Sequence, residues 1–167
     1  NMASVALPVW MLGRDPTRRL ICASYGIDLA AGFGRHSRSL IEAPWVRAVF
    51  PRLNLGDKVT EELITTTQHG SRRATSVGGA LTGFGGDTLI IDDPTKSGDI
   101  LFNSTRDLAN NWFTNTALSR LDDKRTGWIL IVMQRQHVDD LVGHVTAQAP
   151  EDWTILSLPA IAQEVEC

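Results

Sequence analysis

The sequence is poor in cysteine and lysine, has no long apolar run and carries no strong net charge. Each shortage removes a class of protein. Two cysteines, Cys22 and Cys167, are too few and too far apart for a disulfide framework or a zinc site, and the sparse thiols fit a reducing cytosol. No apolar stretch approaches the ~18 residues of a membrane span. Residues 2–12 are apolar, but they lack a basic start and are broken by Pro8, which excludes a secretory signal. A net charge of −3 excludes a globally basic nucleic-acid binder, so any DNA contact has to come from a local patch. Lysine is outnumbered by arginine 3 to 13. The arginine fork suits phosphate and carboxylate, but GC-rich coding gives the same excess and is the preferred cause. Repeats, low-complexity tracts and internal linkers are also missing.

What is present is an ordinary globular composition: 167 residues, 43% hydrophobic and 21% charged, enough for one domain with a core. Residues 3–12 read as an apolar helix tail closed by Gly13. Residues 14–16 read as a turn and 19–25 as a buried strand. Residues 27–42 have a helical rhythm weakened by Gly32 and Gly34. Residues 44–50 suit a short helix and 51–57 a loop. Residues 62–67 and 72–77 predict a hairpin around 68–71. Ser104 and Asp107 have capping-box spacing for a helix to about residue 121. Residues 127–133 read as a second buried strand, 137–149 as a helix and 154–158 as a final strand. Strands alternating with helices predict an α/β fold with a mostly parallel sheet, the hairpin being an antiparallel decoration.

The most informative segment is Asp87-Thr-Leu-Ile-Ile-Asp-Asp-Pro94. Three apolar residues run into two adjacent carboxylates, after glycines and before a proline. This reads as a buried parallel strand, and open α/β sheets bind ligands at the carboxyl ends of such strands. Paired acids there suit a magnesium–phosphate site: one holds the metal, the other orients or deprotonates water. This is a Walker B pattern with Asp where Glu is more usual. The same residues also make a good turn, since Asp accepts local backbone hydrogen bonds and Pro stops the strand.

Gln134 and Arg135 follow the second strand and are expected at the same sheet edge. They could sense a γ-phosphate or stabilise developing charge, or they could simply solvate a strand end. His137, Asp139 and Asp140 invite a metal reading. No second His or Cys cluster supports it, and acids opening a helix are better explained as caps. Residues 78–86 are glycine-rich but precede the strand, and no Gly-Lys-Ser or Gly-Lys-Thr occurs anywhere. They are therefore not a Walker A cradle; a tight backbone passage or mobile turn is preferred. Arg35, Arg38, Arg72 and Arg73 could touch phosphate or DNA, but paired arginines usually form a solvated face. The five tryptophans show no stacking motif and read as core or interface anchors.

Taken together, residues 79–94, Trp112, the Arg120 region, residues 129–143, Trp153 and Leu-Pro-Ala-Ile-Ala (158–162) resemble the large subunit of tailed-phage terminases. The opening Ser-Val-Ala-Leu-Pro-Val-Trp-Met-Leu-Gly, a basic turn and the strand ending Ala-Ser-Tyr fit as well. The resemblance spans nearly the whole chain. It implies a P-loop NTPase fold of RecA/ASCE type, a three-layer sandwich, with residues 1–167 forming a partial ATPase domain. Asp92 then resembles the Mg²⁺ ligand of an ATP site and Asp93 the water-activating acid. Gln134 and Arg135 fall where hydrolysis couples to movement. The parent is expected to translocate double-stranded DNA into the procapsid in the host cytoplasm, as a homo-oligomeric ring with a small terminase subunit and the portal protein. The Walker A strand and loop and the C-terminal nuclease domain are not in this sequence, so the chain reads as an internal piece. Another P-loop motor such as a helicase, or a non-enzymatic interaction module of the same fold, are the alternatives.

Overall fold

The computed structural model describes residues 2–158. Its strands are β1 (Arg19–Ser24), β2 (Leu55–Val59), β3 (Leu63–Thr66), β4 (Ser71–Ser76), β5 (Thr88–Asp92) and β6 (Trp128–Val132). They form one mixed sheet in the order β2-β3-β4-β1-β5-β6. The pairings β4-β1, β1-β5 and β5-β6 are parallel. Those of β2 with β3 and β3 with β4 are antiparallel.

Helices cover both faces. On one lie a π turn (Met2–Ala6) and α1 (Leu7–Arg14), α2 (Ile27–Glu42) and α3 (Pro44–Val49). Their core joins Val9, Leu12, Ile41 and Val46 to Leu20, Cys22 and Ile90 of the sheet. On the other face lie α4 (Asn103–Trp112), a π turn (Phe113–Ala117) and α5 (Leu141–Gln148). There Trp112, Phe113, Leu141 and Val145 pack on Ile21, Ala23, Leu89 and Ile91. The alternation is the period-2 geometry of a strand whose two faces are both buried. Every residue of β5 is buried, as its unbroken apolar run requires.

The sheet therefore reads as an α/β fold with a mostly parallel sheet, and 27–42 and 44–49 are helical as expected. Other expectations need correction. The hairpin is no decoration: β4 is parallel partner to β1 and carries the antiparallel pair into the main sheet. Part of the expected loop 51–57 is strand β2. Gly13 lies inside α1, which ends at Asp15 with its N–H bonded to the Met11 carbonyl. Ser104 caps nothing: the N-cap is Phe102, without a side-chain cap bond. The helix from 103 also passes into π and 3-10 turns after Trp112. α5 begins at Leu141 because Asp140 takes the cap position. β6 is half-exposed rather than buried, since among the described residues β5 is its only partner. Residues 154–158 are exposed and form no strand. Trp112 is core, whereas Trp10 and Trp45 are exposed. Cys167 and the resemblance segment beyond 158 lie outside the described residues. No described helix is long and apolar enough to cross a membrane.

One close approach fixes the hairpin against the helical layer. A Cβ on Gly34 of α2 would meet the Glu61 carbonyl oxygen at 1.9 Å. Only glycine lets the helix backbone lie this near the turn between β2 and β3.

Candidate functional site

The carboxyl ends of β1 and β5 lie side by side, and the chain leaves them toward opposite faces. After β1 it enters α2; after β5 it runs to α4. Such a reversal opens the crevice in which α/β sheets bind ligands. Backbone hydrogen bonds knit the rim. Tyr25 N–H donates to the Asp93 carbonyl (2.9 Å), Asp93 N–H to that of Val132 (2.9 Å) and Val77 N–H to that of Ser24 (2.8 Å). Asp93 has φ +49°, a left-handed conformation that Asp adopts more readily than most residues. That turn, followed by buried Pro94, ends the strand.

Asp92 and Asp93 stand differently. Asp92 is buried, and its Oδ2 accepts a hydrogen bond from the Ser4 hydroxyl in the π turn. Its Oδ1 takes no hydrogen bond from a described residue and is not sealed from solvent. The Ser4 carbonyl in turn accepts from Nη2 of Arg72 at 3.3 Å. Arg72 is 0% exposed, and its Nε and Nη1 have no partner among the described residues. Cys22 lies within the reach of both charges: burial pushes its thiol up, Arg72 opposes this and Asp92 adds to it. Asp93 is exposed at the surface. Partial burial of its carboxyl, and then the negative charge of Asp92, raise its pKa above the ordinary carboxylate range.

Gln134 emerges two residues past the Asp92–Val132 pair, exposed and without a side-chain hydrogen bond to any described residue. Arg135 is otherwise engaged. Its Nε donates to Asp140 Oδ2 at 2.9 Å, and Nη2 reaches the His137 carbonyl at 3.5 Å. Asp140 is fully buried and caps α5 through Oδ1 and Gly143 N–H (2.9 Å). The capping reading of the 137–140 segment thus holds for Asp140, while His137 and Asp139 precede the helix. The structure brings Asp92 and Asp93 together on one rim. It joins neither Gln134 nor Arg135 to them by any hydrogen bond or ion pair among the described residues.

Among the described residues no cluster of three His, Cys, Asp or Glu side chains could hold a metal by itself. A Mg²⁺ site does not need one, because this ion uses one or two carboxylates and fills its octahedron with water and phosphate oxygens. Asp92, with one oxygen anchored by Ser4 and the other without a partner among the described residues, fits that role. The phosphate-cradling half of an ATP site has no matching Gly-Lys-Ser or Gly-Lys-Thr in this sequence. Two cavities of about 570 and 640 Å³ open elsewhere, and neither is lined by Asp92, Asp93, Gln134 or Arg135. For the rim, the convergence of strand ends and charges is the better guide than concavity.

Sequence reasoning missed Ser4 and misjudged Arg72. Ser4 sits in an apolar helical run, where a lone serine carries no signal. Arg72 was one of two adjacent arginines, and only the strand register separates them. Compared with known proteins, the chain matches no protein-family model and no curated protein.

Proposed function

We propose that this chain is the Walker B-bearing part of the ATPase motor of a tailed-phage terminase large subunit, of P-loop (RecA/ASCE) type. The observation that carries the reading is the Asp92–Asp93 pair at the carboxyl rim of a parallel sheet, where the chain reverses beside β1. When bound, Mg²⁺ supplies positive charge for the phosphate oxygens of ATP. Asp92 would hold that ion, with Ser4 fixing the carboxylate's orientation. Asp93 orients the attacking water and takes its proton. Partial burial of its carboxyl raises its pKa, the direction that strengthens a base. Gln134 remains free to follow the γ-phosphate. Arg135 acts through Nη1, since Nε is held by Asp140 and Nη2 reaches the His137 carbonyl. The intact motor translocates double-stranded DNA in the host cytoplasm, as a ring with the small subunit and portal protein.

The test is steady-state ATP turnover by the parent protein containing this chain, against its Asp93→Asn variant. Loss of a general base is expected to lower kcat by about 10²–10⁴-fold. Unchanged turnover would remove the hydrolytic reading and favour an interaction module that kept the fold.

A further inference from the structure

The glycine-rich segment 78–86 has no part in the acidic rim. It belongs to the connection from β4 to β5, two strands that flank β1 on either side. Parallel crossovers are usually helical. Here the chain passes over without a helix, burying Leu81 in the core and leaving Phe84 43% exposed. Beside it β3 and β4 keep an uncovered face, and a groove of about 570 Å³ opens there. That is within the ordinary range of small-molecule sites.

The strand alternation decides what faces the groove. Leu63, Thr65, Ser71 and Arg73 line it, whereas Ile64 and Arg72 are buried, Ile64 within the opposite core. The Arg73 guanidinium lies 3.2 Å from the centroid of the Phe84 ring. It makes no hydrogen bond or ion pair with any described residue, although it is half-buried. Burial lowers its pKa, and the charge of Glu62 opposes this. Lys58 and His69 line the same groove, and neither side chain has a partner among the described residues. The lining carries Lys58, Arg73 and one carboxylate, Asp57, and Glu62 lies near enough for its charge to act on Arg73. Unspent cationic donors beside a partly exposed aromatic ring are complementary to an anion attached to a flat ring.

We propose that this groove binds a nucleoside phosphate, with the phosphate on Arg73, Lys58 and His69 and the base against Phe84. The ligand is either a free mononucleotide or one nucleotide of a DNA strand; the recognition chemistry is the same. The site is independent of the acidic rim and of any metal held there.

Heteronuclear NMR titration of the chain in excess EDTA tests this, with dAMP in one arm and a single-stranded oligodeoxynucleotide in the other. Shifts at Lys58, Arg73 and Phe84 are expected in at least one arm. A response to dAMP assigns the free nucleotide, and a response to the oligonucleotide alone assigns the polymer. Phe84→Ala and Arg73→Ala should each weaken binding about tenfold, in line with the loss of one stacking or charge-assisted contact. Arg73→Lys, which keeps the charge and loses the planar fork, should fall between. Asp92→Asn should bind as the wild type does, which separates this site from the proposed metal site. Absence of shifts in both arms, or unaltered affinity in the Arg73 and Phe84 variants, overturns the proposal.

Discussion

Arg72 and Arg73 are neighbours in one strand and meet opposite fates. Arg72 turns into the layer formed by α2 and the π turn, is wholly buried, and spends one nitrogen on the Ser4 carbonyl. Arg73 turns to the open face and lies over Phe84. One step along β4 thus separates a sealed cation from an available one. The sealed side is the costly one, because a buried guanidinium with two unsatisfied nitrogens gives up hydration that nothing replaces. Its neighbourhood explains what offsets this. Ser4 links it to Asp92, so a fixed positive charge stands behind the carboxylate at the rim. The open side has no such commitment, and its donors remain free for a ligand.

The sharpest way to break this contrast is to remove Arg72. Arg72→Ala leaves a large cavity and an unpaired Ser4 carbonyl, and should cost about 3–5 kcal/mol of stability in urea denaturation. Arg72→Met fills the space without a charge. It should cost far less, or even stabilise, since replacing buried ions by apolar groups is often neutral or better. Equal losses in the two variants would mean that the charge, and not the volume, holds the layer together. A loss below ~1 kcal/mol for Arg72→Ala would dissolve the distinction between sealed and open sides.

Much of this was legible in the sequence, for reasons that also mark where it stops. The run Thr88–Asp92 announces a central strand because burial on both faces removes polar alternation. The acids after it follow from where such strands end. The hairpin was readable from its turn, but its place was not. Nothing local reveals that β4 pairs with β1, a contact made across the whole of α2, α3, β2 and β3. Capping was half legible. Asp140 caps α5, whereas Ser104 has the right spacing and lies one residue inside a helix that opens at Asn103. The Ser4–Asp92 contact spans 88 residues and leaves no local trace. The role of the glycines of 78–86 in a helix-free crossover depends on strand order and leaves no local trace.

A smaller effect separates the two acids of the rim. A carboxyl whose pKa is raised on folding binds its proton more tightly in the folded chain than in the unfolded one. Ionising Asp93 therefore costs folded stability. The cost is fully present at neutral pH and vanishes as pH falls through the folded pKa toward the ordinary carboxylate range near ~4. In chelator, Asp93→Asn should gain stability over the wild type at pH 7 and lose that gain near pH ~4. Taking the difference between the two conditions cancels any benefit Asn brings to the left-handed backbone, which does not depend on pH. A stability difference that is flat with pH would place Asp93 in plain solvent.

The smallest expected effect closes the comparison from its other side. Arg73→Ala removes one cation–π contact at a half-exposed position and no hydrogen bond to a described residue. Stability should fall by no more than ~1 kcal/mol in the same urea assay. This is well below the loss expected for Arg72→Ala one residue earlier. The ratio between the two is what matters. If the stack over Phe84 were a structural clasp for the crossover, its removal would loosen Leu81 and the core beneath it, and the two losses would converge. A small loss leaves the guanidinium with little structural work and its hydrogen-bond donors, unpaired among the described residues, available to a ligand.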